Sequence, residues 1–356
     1  MKAFFLVLAI LTFCLAPGGD VLAQAGASNF VYFTNRGLDG SSLRSSKALA
    51  DSRFDGAQVA YTWKSLEPKP GLYDFSAIKA DLAFLRSIDK KLWVQLQEKS
   101  FRPDVINVPG YILLDPKFDG GVLKQSMLSA PERDPKKAAS ADEYGWAAKM
   151  WQPEVRNRFQ ALIKALGVEF DGEIEGLNLS ESSIEVGAEQ PDGTTVFPEY
   201  FDPEVYVAAV ASNMVVMRAS FRKSAPMVYL NFLPGEWLPW QDHGYMRGLF
   251  ELAERLGMGV GGPDLMPYRK SHMSQTYQFF KRYPDALVKG MAVQDGNLRQ
   301  INPMTSEKNT ADDIIAFAEG YLGLDYIFWV QEEPYFTKEV LPALESKRLP
   351  ARLGTE

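Results

Sequence analysis

The residues able to do chemistry gather in short polar clusters at the ends of apolar runs. These clusters are Asn35-Arg36; Tyr61 with Trp63 and Glu67; Gln95, Gln97 and Glu98; and Asn178, Ser180 and Glu181. Further along come Asn231; Asp264 with Tyr268; Gln294, Asp295 and Asn297; and Trp329, Gln331 and Glu332-Glu333. Carboxyl groups supply protons or attack electrophiles, amides bind hydroxyls, and indole faces cover the C–H faces of a sugar ring. Glu181 is the leading candidate acid, because it follows an apolar run directly and its neighbours are small and polar instead of patterned like a charged helix face. For a partner carboxylate the order of preference is Asp295, then Asp264, then Glu332-Glu333. Asp264 also reads as a turn aspartate after Gly262-Pro263, and Glu332 and Glu333 also read as residues that shape the loop before Pro334. The candidate ligand-binding residues are Asn35, Trp63, Gln95, Gln97, Asn178, Asn231, Tyr268, Gln294, Trp329 and Glu333. Buried amides also satisfy one another, and the tryptophans fit core packing as well. Glu67, in a Glu-Pro turn, reads as a residue that orders its loop.

Other chemistries are excluded by what the chain lacks. It has two histidines, His243 and His272, in no metal-ligand spacing such as H-E-x-x-H, so no metal or other cofactor is expected. No G-x-S-x-G elbow is present. The one cysteine, Cys14, lies inside the first apolar run. The formal net charge of −7 argues against a nucleic-acid or anionic-membrane surface.

Placing these clusters on one rim requires a scaffold. Short β-rich runs alternate with helical segments, the pattern of a parallel sheet built from βα units. The runs are Phe30–Thr34, Ala57–Trp63, Lys91–Leu96, Ile174–Asn178, Met227–Asn231, Met258–Gly261, Val288–Gln294 and Tyr326–Trp329. Eight such runs are the number that closes a (β/α)8 barrel, in which chemistry sits at the C-terminal strand ends. An open doubly wound sheet is the alternative, but no glycine-rich dinucleotide fingerprint follows the first strand. Between the strands, Ile78, Leu82 and Leu85 share a helical face, as do Phe159, Leu162, Ile163 and Leu166, and Val207, Val210, Met214 and Met217. Thr310 and Asp313 read as a capping pair. The connection from Glu98 to Trp151, after the third strand, is too long for an ordinary loop. It reads as an excursion over one side of the active face, or as an insertion without ligand contact.

The stretch Trp63-Lys64-Ser65-Leu66-Glu67-Pro68-Lys69-Pro70-Gly71-Leu72-Tyr73-Asp74-Phe75 resembles the second-strand segment of clan A glycoside hydrolases, W-x-x-x-E-P-x-x-G-x-Y-D-F. A looser likeness covers Asn178-Leu179-Ser180-Glu181 and Phe328-Trp329. The resemblance implies a retaining (β/α)8 glycosidase with an acid/base glutamate after strand four and a nucleophilic glutamate ending strand seven. Two departures stand out. Ser180 precedes Glu181 where the family has asparagine, and strand seven, Met291-Ala292-Val293-Gln294-Asp295, has no glutamate. Period-two alternation puts Gln294 on the inward face with Ala292, and an amide cannot form a glycosyl ester. The implied function is hydrolysis of an extracellular or periplasmic polysaccharide by a carboxylate pair, and the alternative is a carbohydrate-binding barrel without catalysis.

The first 23 residues follow the plan of a secretory signal: Lys2, an apolar run from Ala3 to Ala16, a Pro17-Gly18-Gly19 break, and Val21-Leu22-Ala23 before the cleavage point. The run is shorter than the roughly 20 residues a bilayer core needs, so stable membrane insertion is not expected. Residues 24–346 are assigned to one barrel and 347–356 to a tail.

Overall fold

The computed structural model describes residues 26–34, 41–128, 145–190, 192–236 and 241–348. Residues 1–23, assigned to a signal, and Asn35 lie outside the described residues. Eight parallel strands close into a barrel in chain order: β1 (Ser28–Phe33), β2 (Gly56–Thr62), β3 (Lys91–Gln97), β4 (Gly176–Leu179), β5 (Ala225–Tyr229), β6 (Gly259–Gly262), β7 (Lys289–Val293) and β8 (Tyr326–Val330). Closure comes from β1 pairing with β8, Val31 opposite Trp329. An open doubly wound sheet is thereby excluded.

Around the barrel run α1 (Ser76–Ser87), α2 (Pro153–Phe170), α3 (Pro203–Ser220), α4 (Tyr245–Leu256), α5 (Gln278–Arg282), α6 (Ala311–Phe317) and α7 (Leu341–Arg348). In α1 and α2 the apolar faces are those the spacing predicts, with Ile78, Leu82 and Leu85, and Phe159, Leu162, Ile163 and Leu166, buried against the strands. In α3 Met214 and Met217 are buried but Val207 and Val210 are only half-buried, because the buried face runs through Tyr206, Ala209 and Asn213. Both α2 and α3 begin with proline at the first turn, where the missing N–H costs no helical bond. Thr310 and Asp313 form a reciprocal capping box that opens α6. The last helix extends to Arg348, past the expected start of the tail at Lys347.

The barrel interior is filled by Phe30, Tyr32, Ala60, Trp93, Met227, Tyr229, Ala292 and Phe328. Such large rings fit only where facing positions are small. A Cβ on Gly176 would lie 2.6 Å from the Trp93 ring and 2.7 Å from the Ala225 carbonyl oxygen. Trp63 and Trp329 point the other way. Both are fully buried between strands and helices, Trp63 against Phe159 with its N–H donated to Glu67 at 2.8 Å, and Trp329 with its N–H donated to Asn29 at 2.8 Å. The expectation that they floor a ligand subsite is corrected: β8 turns Phe328 inward and Trp329 outward, by the same alternation that places Val31 outside.

The long connection after β3 carries a short antiparallel pair, Val122–Lys124 with Trp146–Ala148. A third strand within it, Ser126–Leu128, pairs with Val186–Glu189 after β4. The excursion is therefore stitched to the neighbouring loop on the same face of the barrel.

Replacing Gly176 by alanine should lower the urea midpoint by the equivalent of about 1–3 kcal/mol, the usual cost of overpacking. Gly110→Ala, where an added Cβ meets nothing within 4 Å, should change stability little. Equal effects of the two substitutions would contradict the packing account of the barrel interior.

Candidate active site

At the bottom of the barrel's C-terminal half lies a buried polar hub. The Asn178 side-chain oxygen accepts hydrogen bonds from Gln58 and from the Trp93 indole, both at 2.9 Å, and Gln58 also donates to the Tyr229 hydroxyl at 2.9 Å. The Asn178 amide nitrogen is spent on the Leu179 carbonyl at 3.0 Å. Asn178 is thus fully buried and committed to the barrel, which corrects its assignment as a ligand-binding residue.

One layer higher, a chain of amides and a phenol crosses the barrel mouth. The Tyr32 hydroxyl donates to Gln95 at 2.5 Å, Gln97 donates to the same Gln95 oxygen at 3.0 Å, and Gln294 is hydrogen bonded to Tyr32 from the opposite side. Burial pushes the Tyr32 phenol well above its usual range, so it stays protonated. Gln294 takes the inward position that follows Ala292, as the alternation requires. These four side chains line a cleft of about 420 Å³ together with Glu181 and Tyr229.

Glu181 stands at the rim immediately after β4. Its carboxylate accepts a hydrogen bond from the Asn231 amide at 2.7 Å. Asn231 is itself fixed by Ser182, whose hydroxyl bonds both its N–H and its carbonyl. Behind Glu181, the buried Lys99 ammonium donates to the Glu181 carbonyl at 2.5 Å and the Ser183 carbonyl at 3.3 Å, and sits 3.5 Å from the Glu98 carboxylate. Glu98 in turn accepts the Ser180 hydroxyl. Removal from water dominates the Glu181 carboxyl and pushes it up to about 7, against the Asn231 hydrogen bond and the Lys99 charge, with Asp264 and Glu185 adding to the rise. A carboxyl that is half protonated near neutral pH, open to a cleft, is equipped to donate a proton.

Of the possible partners, Asp264 is the one whose charge reaches Glu181. It is half-buried directly behind Pro263, which lines the cleft while Asp264 itself does not, and its carboxylate accepts from Asn297 at 3.0 Å. Burial raises it above the ordinary aspartate range. Asp295, ranked first from sequence, is exposed and outside the lining, because β7 ends at Val293 and the chain turns after Gln294. Glu332 is occupied in joining loops, accepting from the Gly296 N–H at 2.7 Å and pairing with Arg299 at 2.9 Å. Glu333 is exposed and bonded to Thr337, and Tyr268 packs on Phe317 and Tyr321 away from the cleft; both are corrected as ligand contacts. Glu67 orders its loop, accepting from Trp63 and the Gly71 N–H and pairing with Arg158.

Sequence reasoning missed Lys99, Tyr32 and Tyr229. Alternation along β1 and β5 would have put both tyrosines inward; nothing local marks Lys99, whose ammonium is buried among the Glu181 and Ser183 carbonyls and the Tyr206 hydroxyl. The excursion after β3 does wall the cleft, through Lys99, Ser100, Phe101, Arg102, Val105 and Asn107. Among the described residues no group of three or more His, Cys, Asp or Glu side chains is arranged to hold a metal ion, and no helix is long and apolar enough to cross a membrane.

This architecture is similar to solved glycosidases. The catalytic domain of β-amylase from Paenibacillus polymyxa superposes with a TM-score of 0.54 and 11% identity, covering 92% of this chain and 100% of that one. The catalytic core of a xylanase A superposes with a TM-score of 0.51 and 10% identity over 90% and 98% of the two chains. What these chains share with this one is the fold, a closed (β/α)8 barrel. No protein-family model matches the sequence, and no curated protein matches it.

Because the folded-state value of Glu181 lies above the unfolded one, the folded protein holds the extra proton between pH 4.5 and about 7. This residue therefore costs stability progressively as pH rises through that window, up to about 3 kcal/mol. The stability of Glu181→Gln relative to wild type should accordingly improve from pH 4.5 to pH 7 and level off above. A difference independent of pH would show that the carboxyl is not perturbed.

Proposed function

We propose that this protein is a glycoside hydrolase in which Glu181 donates a proton to the leaving glycosidic oxygen. The observation that carries this reading is the Glu181 carboxyl, desolvated to a value near 7 at the rim of an amide- and tyrosine-lined cleft at the C-terminal end of a barrel. Hydrolysis needs a second group. Gln294 holds the inward end of β7 and cannot attack an anomeric carbon to form an ester, so the reaction runs through water, with Asp264 as the base that activates it. Asn297 orients that carboxylate, and Asn231 holds Glu181 toward the cleft. Such a pair gives inversion at the anomeric carbon. The leader-like first 23 residues support action on a polysaccharide outside the cytoplasm.

A second reading, a carbohydrate-binding barrel without catalysis, is favoured by Gln294, which stands where the glycosidase resemblance puts a nucleophile. The two separate in one experiment on glycan hydrolysis. Glu181→Gln should lower turnover of an unactivated oligosaccharide by about 10²–10⁴ and that of an activated aryl glycoside less, since its leaving group needs little protonation. Asp264→Asn should abolish turnover of both. Full turnover by Glu181→Gln would remove its role as acid, and a wild-type protein that binds glycan without cleaving it would establish the binding barrel.

A further inference from the structure

Phe101 is a large apolar side chain left 43% exposed on the wall of a cleft otherwise lined mainly by amides, hydroxyls and charges. Its backbone is not free to fold it away. The preceding residue, Ser100, exchanges two backbone hydrogen bonds with Trp146, at 2.7 and 2.8 Å, and its carbonyl also accepts from the Gln125 amide at 2.8 Å. Gly145 lies so close beneath that an added Cβ would stand 2.0 Å from the Ser100 carbonyl oxygen. One residue further back, Lys99 bonds the carbonyl of Glu181 itself. The phenyl ring is therefore carried on a clamped stalk tied directly to the acid. Tyr32 and Tyr229, the other rings of the lining, are buried in its floor with their hydroxyls engaged.

Holding a hydrophobic ring in water has a cost that burial against an apolar ligand face would recover. The hydroxyls and amides of Thr62, Gln97 and Ser180 share the same cleft, so the ligand must present one apolar face and a polar edge. We propose that Phe101 is a stacking platform for a pyranose ring in the subsite beside Glu181, and that the excursion after β3 exists to hold it there. A pyranose offers that combination, with axial C–H bonds on its face and hydroxyls around its edge. This rests on the carbohydrate reading of the cleft, but adds a binding role for a segment to which the catalytic carboxyls contribute nothing.

The test is binding of maltohexaose, xylohexaose and cellohexaose by calorimetry to the Glu181→Gln protein, compared with the same protein carrying Phe101→Ala or Phe101→Trp. Ring stacking of the usual strength makes the alanine variant bind about three- to tenfold more weakly, and the tryptophan variant should bind at least as tightly as phenylalanine. The alanine variant should keep its urea midpoint, because the ring it removes is largely solvated. Equal affinity of the alanine and phenylalanine forms for a hexasaccharide that binds overturns the platform while leaving the hydrolase reading intact. Binding of none of these or other neutral oligosaccharides overturns the platform together with the carbohydrate reading. An alanine variant that loses affinity only in step with its stability assigns Phe101 to structure instead.

Discussion

The side-chain oxygen of Asn178 accepts two hydrogen bonds at the barrel axis, from Gln58 on β2 and Trp93 on β3. Through Gln58 the same network reaches Tyr229 on β5. Four of the eight strands are thus tied by polar groups away from water, where an unmet partner would cost about 1–3 kcal/mol. This hub fixes the height of everything above it. Tyr32, Gln95 and Gln294 occupy the next inward positions of their strands, and Glu181, Asn231 and Pro263 come at the rim, where β4, β5 and β6 release the chain.

The Glu181 carboxyl owes its character to a balance of opposed effects. Desolvation raises its proton affinity, the Asn231 amide and the Lys99 ammonium lower it, and Asp264 pushes it up again. The Lys99 ammonium donates to the Glu181 and Ser183 carbonyls and the Tyr206 hydroxyl and lies 3.5 Å from the Glu98 carboxylate, so its charge is not directed at the Glu181 carboxylate alone. The excursion after β3 therefore begins at the cation that limits the perturbation of the Glu181 carboxyl and goes on to present Phe101 to the cleft. The backbone that carries Phe101 is held by the pairing of Ser100 with Trp146.

Much of the scaffold was legible because strand and helix periods are written in adjacent residues. All eight strands lie where alternating β-rich runs predict them, and the helical faces of α1 and α2 follow the spacing of Ile78, Leu82 and Leu85 and of Phe159, Leu162, Ile163 and Leu166. The same alternation correctly put Gln294, not a carboxylate, at the inward end of β7. What local pattern could not supply was side-chain direction at the strand ends. Trp63 and Trp329 read as cleft residues but point into the helix layer, and Asp295 read as a carboxylate partner but sits beyond the turn. Asp264 gains its position from Asn297, 33 residues away in sequence, and Lys99 from carbonyls 82 and 84 residues away. Such long-range pairings leave no trace in a window of neighbouring residues.

The central claim is that desolvation at the barrel rim raises the Glu181 carboxyl to about 7, and it can be measured without knowing the substrate. With the glutamate carboxyl carbons labelled with ¹³C, and Glu181→Gln used to assign the resonance, a titration of the folded protein should find Glu181 changing charge near pH 7. A midpoint at the ordinary glutamate value of 4.5 would mean that the carboxyl is solvated and ionised in the resting protein, and would remove the acid on which the mechanism is built.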